Sequence, residues 1–409
     1  MKPSAFLCIP LCALCVASEA EPIEQQAYNS KRPAPQIVLE LPPGPGNPRN
    51  SEGTFATLRD GRILYAYTRF STEIRDGIPD SGAAEIVARY SSDGGLSWTT
   101  NDTTVIANEG AFNVCCPSLL RLQSGELALF YLRKNSQSDC IPMMRRSFDE
   151  GATWGEPTKC ITDAPGYYVL NNDRVIQLRD GRLLFAVSLL SAPDGSWDEK
   201  GTVLSYYSDD NGATWRRGGT VAAVSPMNST SEYTEHTEGA TRTVSQAGGS
   251  GGRARVTFQE PGVVELRDGR ILLWIRTDAG CLYVCHSSDR GETWTVPRPS
   301  PFVSPLSPAS IKRLPTGDLL ALWNDHASRP EMKTRGPAWA HGARTPLAAV
   351  LSRDDGETWS AARLLEDAPD GWFCYTSVHP LADGTVLLGY CAFKELAHSR
   401  IVKVPMAWF

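Results

Sequence analysis

Arg49, Arg69, Arg133, Arg276, Glu260 and Tyr375 are the residues of this chain whose types and spacing could do chemistry. Each stands at a set distance from one of six recurring hairpin turns. About nine residues before the hairpin glycine stand Cys116, Asn172, Glu260, Pro308 and Tyr375, and Arg49 lies about 12 before the first. About seven residues after it stand Arg69, Arg133, Ser188, Arg276 and Asn324. Around a common axis these positions meet at one rim. A single long charged residue at a strand end is ordinarily solvated, but that does not account for several brought together by symmetry. Guanidinium groups stay charged and present forks that match carboxylates. Such a rim suits a small anionic ligand.

The elements that must position them are repeats. Hairpin turns recur at Asp60-Gly61, Ser124-Gly125, Asp180-Gly181, Asp268-Gly269, Thr316-Gly317 and Asp383-Gly384. Asp-Gly between alternating hydrophobic residues is a strong hairpin signal, because glycine accepts positive φ. A second phrase, Ser-x-Asp-x-Gly-x-Thr/Ser-Trp, spans Ser91–Trp98, Ser147–Trp154, Ser208–Trp215, Ser287–Trp294 and Ser352–Trp359. Its aspartate can hold the following amides as in an Asx-turn. Each unit reads as two hairpins, hence four strands. Six hairpins and five boxes predict an all-β, six-bladed β-propeller. The sixth unit lacks a box, so the N-terminal segment is expected to complete it. A catalytic residue is needed once and a structural turn in every blade. Asp93, Asp149, Asp210, Asp289 and Asp354 are therefore assigned no catalysis.

The 409-residue chain has a net charge of −6, which argues against nucleic acid as a partner. Residues 1–20 read as a secretory signal: Lys2, an apolar run from Ala5 to Val16, and Ser18-Glu19-Ala20 as cleavage site. A lipoprotein anchored at Cys15 is the weaker alternative, since Leu14 is bulky. No run is long enough to span a membrane. We expect a secreted or periplasmic protein whose propeller covers 21–409, with a Ser-, Thr- and Gly-rich insertion at 225–252. Export permits disulfides. Cys281 and Cys285 share a strand face too far apart to bond, whereas Cys140 with Cys160 is open. The histidines do not cluster near the cysteines, so no zinc site is expected.

Over nearly the whole mature chain the sequence resembles the sialidases (neuraminidases), six-bladed propellers with Asp-box, or BNR, repeats. Arg49 and Arg69 keep that family's spacing, although Asn50-Ser51 replaces the usual Ile-Pro. Gln259-Glu260-Pro261-Gly262 through Trp274-Ile275-Arg276 is similar to the family's glutamate and second-arginine segment. Arg344 precedes a box serine as the third arginine does, and Tyr375 precedes the last hairpin as the tyrosine does. Val404-Pro405-Met406-Ala407-Trp408 looks like the closing strand. Asp80, or alternatively Asp76, falls in the loop of the acid aspartate.

The resemblance implies an exo-α-sialidase acting on sialylated glycans. Arg49, Arg276 and Arg344 would clamp the carboxylate of sialic acid, with Arg69 nearby. Because that carboxylate sits on the reacting carbon, an Asp or Glu nucleophile would meet like charge. Sialidases are the noted tyrosine exception among glycosidases. Tyr375 would attack, Glu260 would take its proton, and Asp80 would serve as acid and then base, with retention of configuration. No metal or other cofactor is required. Asn172 and Asp173 are expected at the sugar, while Arg174 either joins them or braces a blade. Rival readings are a propeller acting on another acidic sugar, a trans-sialidase, or a non-catalytic carbohydrate-binding platform. The protein is expected to act as a monomer.

Overall fold

A computed structural model describes residues 33–73, 80–192, 194–224, 255–393 and 396–409, and the backbone of 233–237 and 240–244. The expected leader and most of the expected insertion lie outside these residues; within the insertion, Tyr233–Thr237 pairs with Ala240–Val244 as a hairpin. The remaining strands build a six-bladed propeller of antiparallel sheets. Blade one runs inner to outer through Arg49–Thr57, Ile63–Phe70, Ala84–Ser91 and Thr103–Ile106. Blade two begins with Asn113–Arg121, blade four with Gln259–Glu265 and blade five with Ser310–Arg313. Blade six starts at Cys374–Pro380, and its outermost strand is the N-terminal Gln36–Leu41, paired with His398–Pro405. The N-terminal segment thus completes the ring as the missing box implied.

The boxes build one turn five times. In blade two the Ser147 hydroxyl donates to Asp149 (2.8 Å) and accepts from the Gly151 amide (2.7 Å). The Asp149 carboxylate accepts the Thr153 amide at 2.8 Å and its hydroxyl at 2.6 Å. The serine–aspartate bond recurs in the other four boxes. Box glycines lie at φ between 84° and 94°, where a side chain is strained. Each box tryptophan reaches the apolar layer shared with the preceding blade, as Trp154 does between blades one and two. Between blades five and six, where no box exists, Trp408 packs instead. Fully burying one large apolar side chain stabilises by about 1.5–3 kcal/mol, so these six layers carry most of the stability.

The inner strands depart from regularity at the axis. In blades two, four and six the residue nine before the hairpin glycine is left-handed: Cys116 at φ 57°, Glu260 at 46° and Tyr375 at 59°. The ladder register shifts across each of these residues. These are bulges, which re-aim a side chain at the end of a strand. Blade three differs, because its inner strand is broken between Tyr168–Val169 and Ile176–Gln177, and Asp173 is left-handed at φ 56°.

Candidate active site

The bulges open onto a cavity of about 470 Å³. Arg49, Glu52, Asp80, Glu260, Arg276 and Tyr375 all stand on its wall. The Tyr375 hydroxyl donates to Glu260 Oε1 at 3.0 Å. Arg276, buried behind them, pairs with the other oxygen of Glu260. Burial opposes ionisation of Glu260, but Arg276 and then Arg344 outweigh it and hold the carboxyl below its ordinary range. Burial and the Glu260 charge push the Tyr375 phenol well up, against the pull of Arg344 and Arg276.

Asp80 sits at φ 54° with its side chain half exposed. Its carboxylate takes Arg49 Nη1 at 2.5 Å. Burial works against the charge, yet Arg49 and Lys134 bring the pKa down to about 2. The loop is pinned through its backbone: Asn113 Nδ2 donates to the carbonyls of Asp80 (2.8 Å) and Gly82 (2.9 Å), and Lys134 Nζ to that of Asp80 (3.3 Å). The alternative acid, Asp76, lies outside the described residues.

Arg344 is placed differently from the other two expected clamps. It is 1% exposed and is not on the cavity wall. Its Nη1 donates to Cys374 Sγ at 3.1 Å, and its guanidinium lies 5.5, 5.2 and 5.6 Å from the rings of Trp339, Trp372 and Tyr375. It backs the tyrosine, with Trp339 over it at the mouth.

Three residues expected at the sugar lie off the cavity wall. Arg69 is not on the wall; its guanidinium is taken by Glu85 (2.5 Å) and Asp102 (3.0 Å). Asn172 is buried, and its amide donates to the carbonyls of Gly53 (2.7 Å) and Tyr375 (3.0 Å), tying three blades at the axis. Asp173 turns toward the hairpin end of the strands, where it pairs with Lys312 (2.8 Å) and accepts the Val378 amide (3.0 Å). Arg174 braces blade five, donating to the Ala309 carbonyl (2.5 Å) and Ser310 (3.2 Å). Cys140 and Cys160 are both free thiols. Arg133, expected at the rim, gives way to its neighbour Lys134 on the wall.

Two charged wall residues lay outside the expected set: Glu52 and Lys134. Glu52 had a signal, since a charge followed by glycine inside a strand marks a bulge. The register does shift between Ser51 and Gly53. A Cβ on Gly53 would lie 2.2 Å from the Tyr65 hydroxyl, so only glycine fits there.

Residues 77–388 match a family model described as a BNR repeat-like domain. The chain belongs to the sialidase/BNR-repeat superfamily. A curated sialidase of Micromonospora viridifaciens is 26% identical over 365 residues, covering 81% of this chain and 48% of that protein. The chain thus spans about half the length of that relative. Among solved structures, a Hadza microbial sialidase superposes with TM-score 0.64 at 19% identity, over 88% of this chain and 66% of that one. A leech intramolecular trans-sialidase does so at 0.61 and 13%, over 95% and 73%. A Dyadobacter fermentans protein of unknown function does so at 0.65 and 16%, over 91% and all of that chain. At such identities these superpositions establish the superfamily's fold and leave its chemistry to the residues on the wall.

Proposed function

We propose that the protein is an exo-α-sialidase that releases terminal sialic acid from glycoconjugates with retention of configuration. The observation that carries this reading is the Tyr375–Glu260 hydrogen bond of 3.0 Å beside the Arg276 guanidinium in a cavity. Arg49 and Arg276 bind the substrate carboxylate, and Arg344 adds positive charge from behind the tyrosine. Tyr375 attacks the anomeric carbon as a neutral phenol. Its raised pKa beside a depressed Glu260 makes a preformed tyrosinate costly, so the proton passes to Glu260 as the bond to carbon forms. Asp80 is ionised while Arg49 holds it. A substrate carboxylate that engages Arg49 loosens this hold, and Asp80 takes a proton from solvent and passes it to the leaving oxygen as the glycosidic bond breaks. In the second step it takes a proton from water.

Hydrolysis of a fluorogenic sialoside, followed by NMR of the first-formed anomer, tests the reading. Wild type should release the α-anomer first, and Tyr375→Phe should lose about 10²–10⁴-fold or more of the rate. Unchanged turnover in that variant would remove Tyr375 as nucleophile. A second reading, transfer instead of hydrolysis, draws on Trp197 and Trp339, which are 53% and 56% exposed on the cavity wall and could exclude water. The same NMR experiment distinguishes free sialic acid from anhydro or transferred products.

A further inference from the structure

Resting on the sialidase reading, we propose that Glu52 takes up a solvent proton when the substrate carboxylate binds Arg49, so that Glu52 couples anion affinity to pH. One guanidinium already serves two carboxylates: Arg49 reaches Asp80 at 2.5 Å and Glu52 at 3.3 Å. An incoming carboxylate competes with both. The two residues differ in what they can do next. The Asp80 side chain is 49% exposed and can be hydrated, and Lys134 stays beside it. The Glu52 side chain is 8% exposed and fixed on a strand bulge. A buried carboxylate that loses its cation is stabilised by neutralising.

The surroundings of Glu52 favour that outcome. From its own strand it faces Arg49 and Ser51, from the acid loop Asp80, and from blade four Glu260. Cys116 of blade two, Cys374 and Cys391 of blade six, and Tyr65 of the adjacent strand also sense its charge. Around the same cavity Lys134, Arg276 and Arg344 are tied to Asp80, Glu260 and Cys374 respectively. Burial already pushes the Glu52 carboxyl up, Arg49 opposes this, and Asp80 adds to it. A further negative charge at Arg49 acts in the same direction as Asp80. Binding therefore raises the proton affinity of Glu52, and by reciprocity protonated Glu52 favours the anion. Affinity should fall as pH rises between the free and liganded pKa of Glu52, approaching about tenfold per pH unit for one linked proton.

The test is calorimetry of the 2,3-unsaturated sialic acid analogue in buffers of different ionisation heat, with wild type, Glu52→Gln and Asp80→Asn. Expected is proton uptake in wild type and in Asp80→Asn, and a smaller uptake in Glu52→Gln, limited to what Asp80 takes as Arg49 is drawn away. Binding without uptake in wild type overturns the inference and leaves the sialidase reading standing. So does uptake that is undiminished in Glu52→Gln and vanishes in Asp80→Asn. Failure of the analogue to bind wild type overturns both. If Glu52→Gln does not fold, difference infrared spectroscopy of Asp80→Asn decides: a new protonated-carboxyl band on binding supports the inference, and its absence overturns it.

Discussion

The box turns and the axial cavity use the same parts to opposite ends. Asp149 in a box and Asp80 in the cavity both have pKa values near 2. Asp149 is held by the Thr153 hydroxyl and amide, neutral dipoles built into its own turn. Asp80 is held, against burial, by Arg49 and Lys134. Both regions also use left-handed residues, but a box spends them on glycine and its neighbour, repeated five times, whereas the cavity places Asp80, Glu260 and Tyr375 there. A carboxylate held by local dipoles is indifferent to ligand. One held by a cation on the cavity wall can be released by an anion, so a functional site is distinguished by what holds its charges.

The largest expected effect is at Glu260. Glu260→Gln removes the acceptor of the Tyr375 proton and should lower kcat by about 10²–10⁴-fold. Replacing a box aspartate such as Asp289 should leave kcat/KM unchanged. A drop in kcat/KM for the folded box variant would erase the distinction between the two regions. Arg276→Met comes next. It leaves Glu260 buried without its ion-pair partner, which costs about 3–5 kcal/mol by chemical denaturation. The sign with pH is definite. A depressed folded pKa gives stability that is present above the unfolded value, about 4.3, and is lost as pH falls through the folded one. Wild type should therefore hold its advantage over Arg276→Met from neutral pH down to about pH 4 and lose it below.

Ser287→Ala should be smaller and confined to stability. The Ser287 hydroxyl accepts the buried Gly291 amide at 2.8 Å, and stranding that amide costs about 1–3 kcal/mol. KM and kcat measured well below the unfolding temperature should not move, because the turn lies in the repeated region and touches no wall residue.

The repeats made the fold legible, since hairpin and box chemistry is local. They also located Glu260 and Tyr375, because a count from a hairpin glycine survives the intervening bulge. The count failed where the axis is irregular. In blade three the broken inner strand sends Asn172 and Asp173 into blade-to-blade bonds. In blade two an offset of one residue put Arg133 where Lys134 stands, and one residue reverses the face of a strand. Arg344 was visible as a residue, but its burial under Trp339 and Trp372 depends on loops that meet only in three dimensions. Glu52 went unread although Glu-Gly within a strand marks it.

The smallest effect separates the two carboxylates most directly. With the unsaturated sialic acid analogue bound, Arg49 is shared with a third anion, and the Asp80 pKa should move up from about 2. Asp149, bonded to Ser147 and Thr153 within its own turn, should keep its value. Carboxyl carbon-13 shifts followed from about pH 2 to pH 6, with and without the analogue, report both residues in one sample. Lys134→Met should move the ligand-free Asp80 midpoint upward by less than the analogue does, because Lys134 comes second to Arg49 in holding it down. A ligand-induced shift of equal size at both aspartates would mean that the analogue perturbs the propeller as a whole. The contrast between a turn that holds its own charge and a site that lends its cation to a ligand would then be lost.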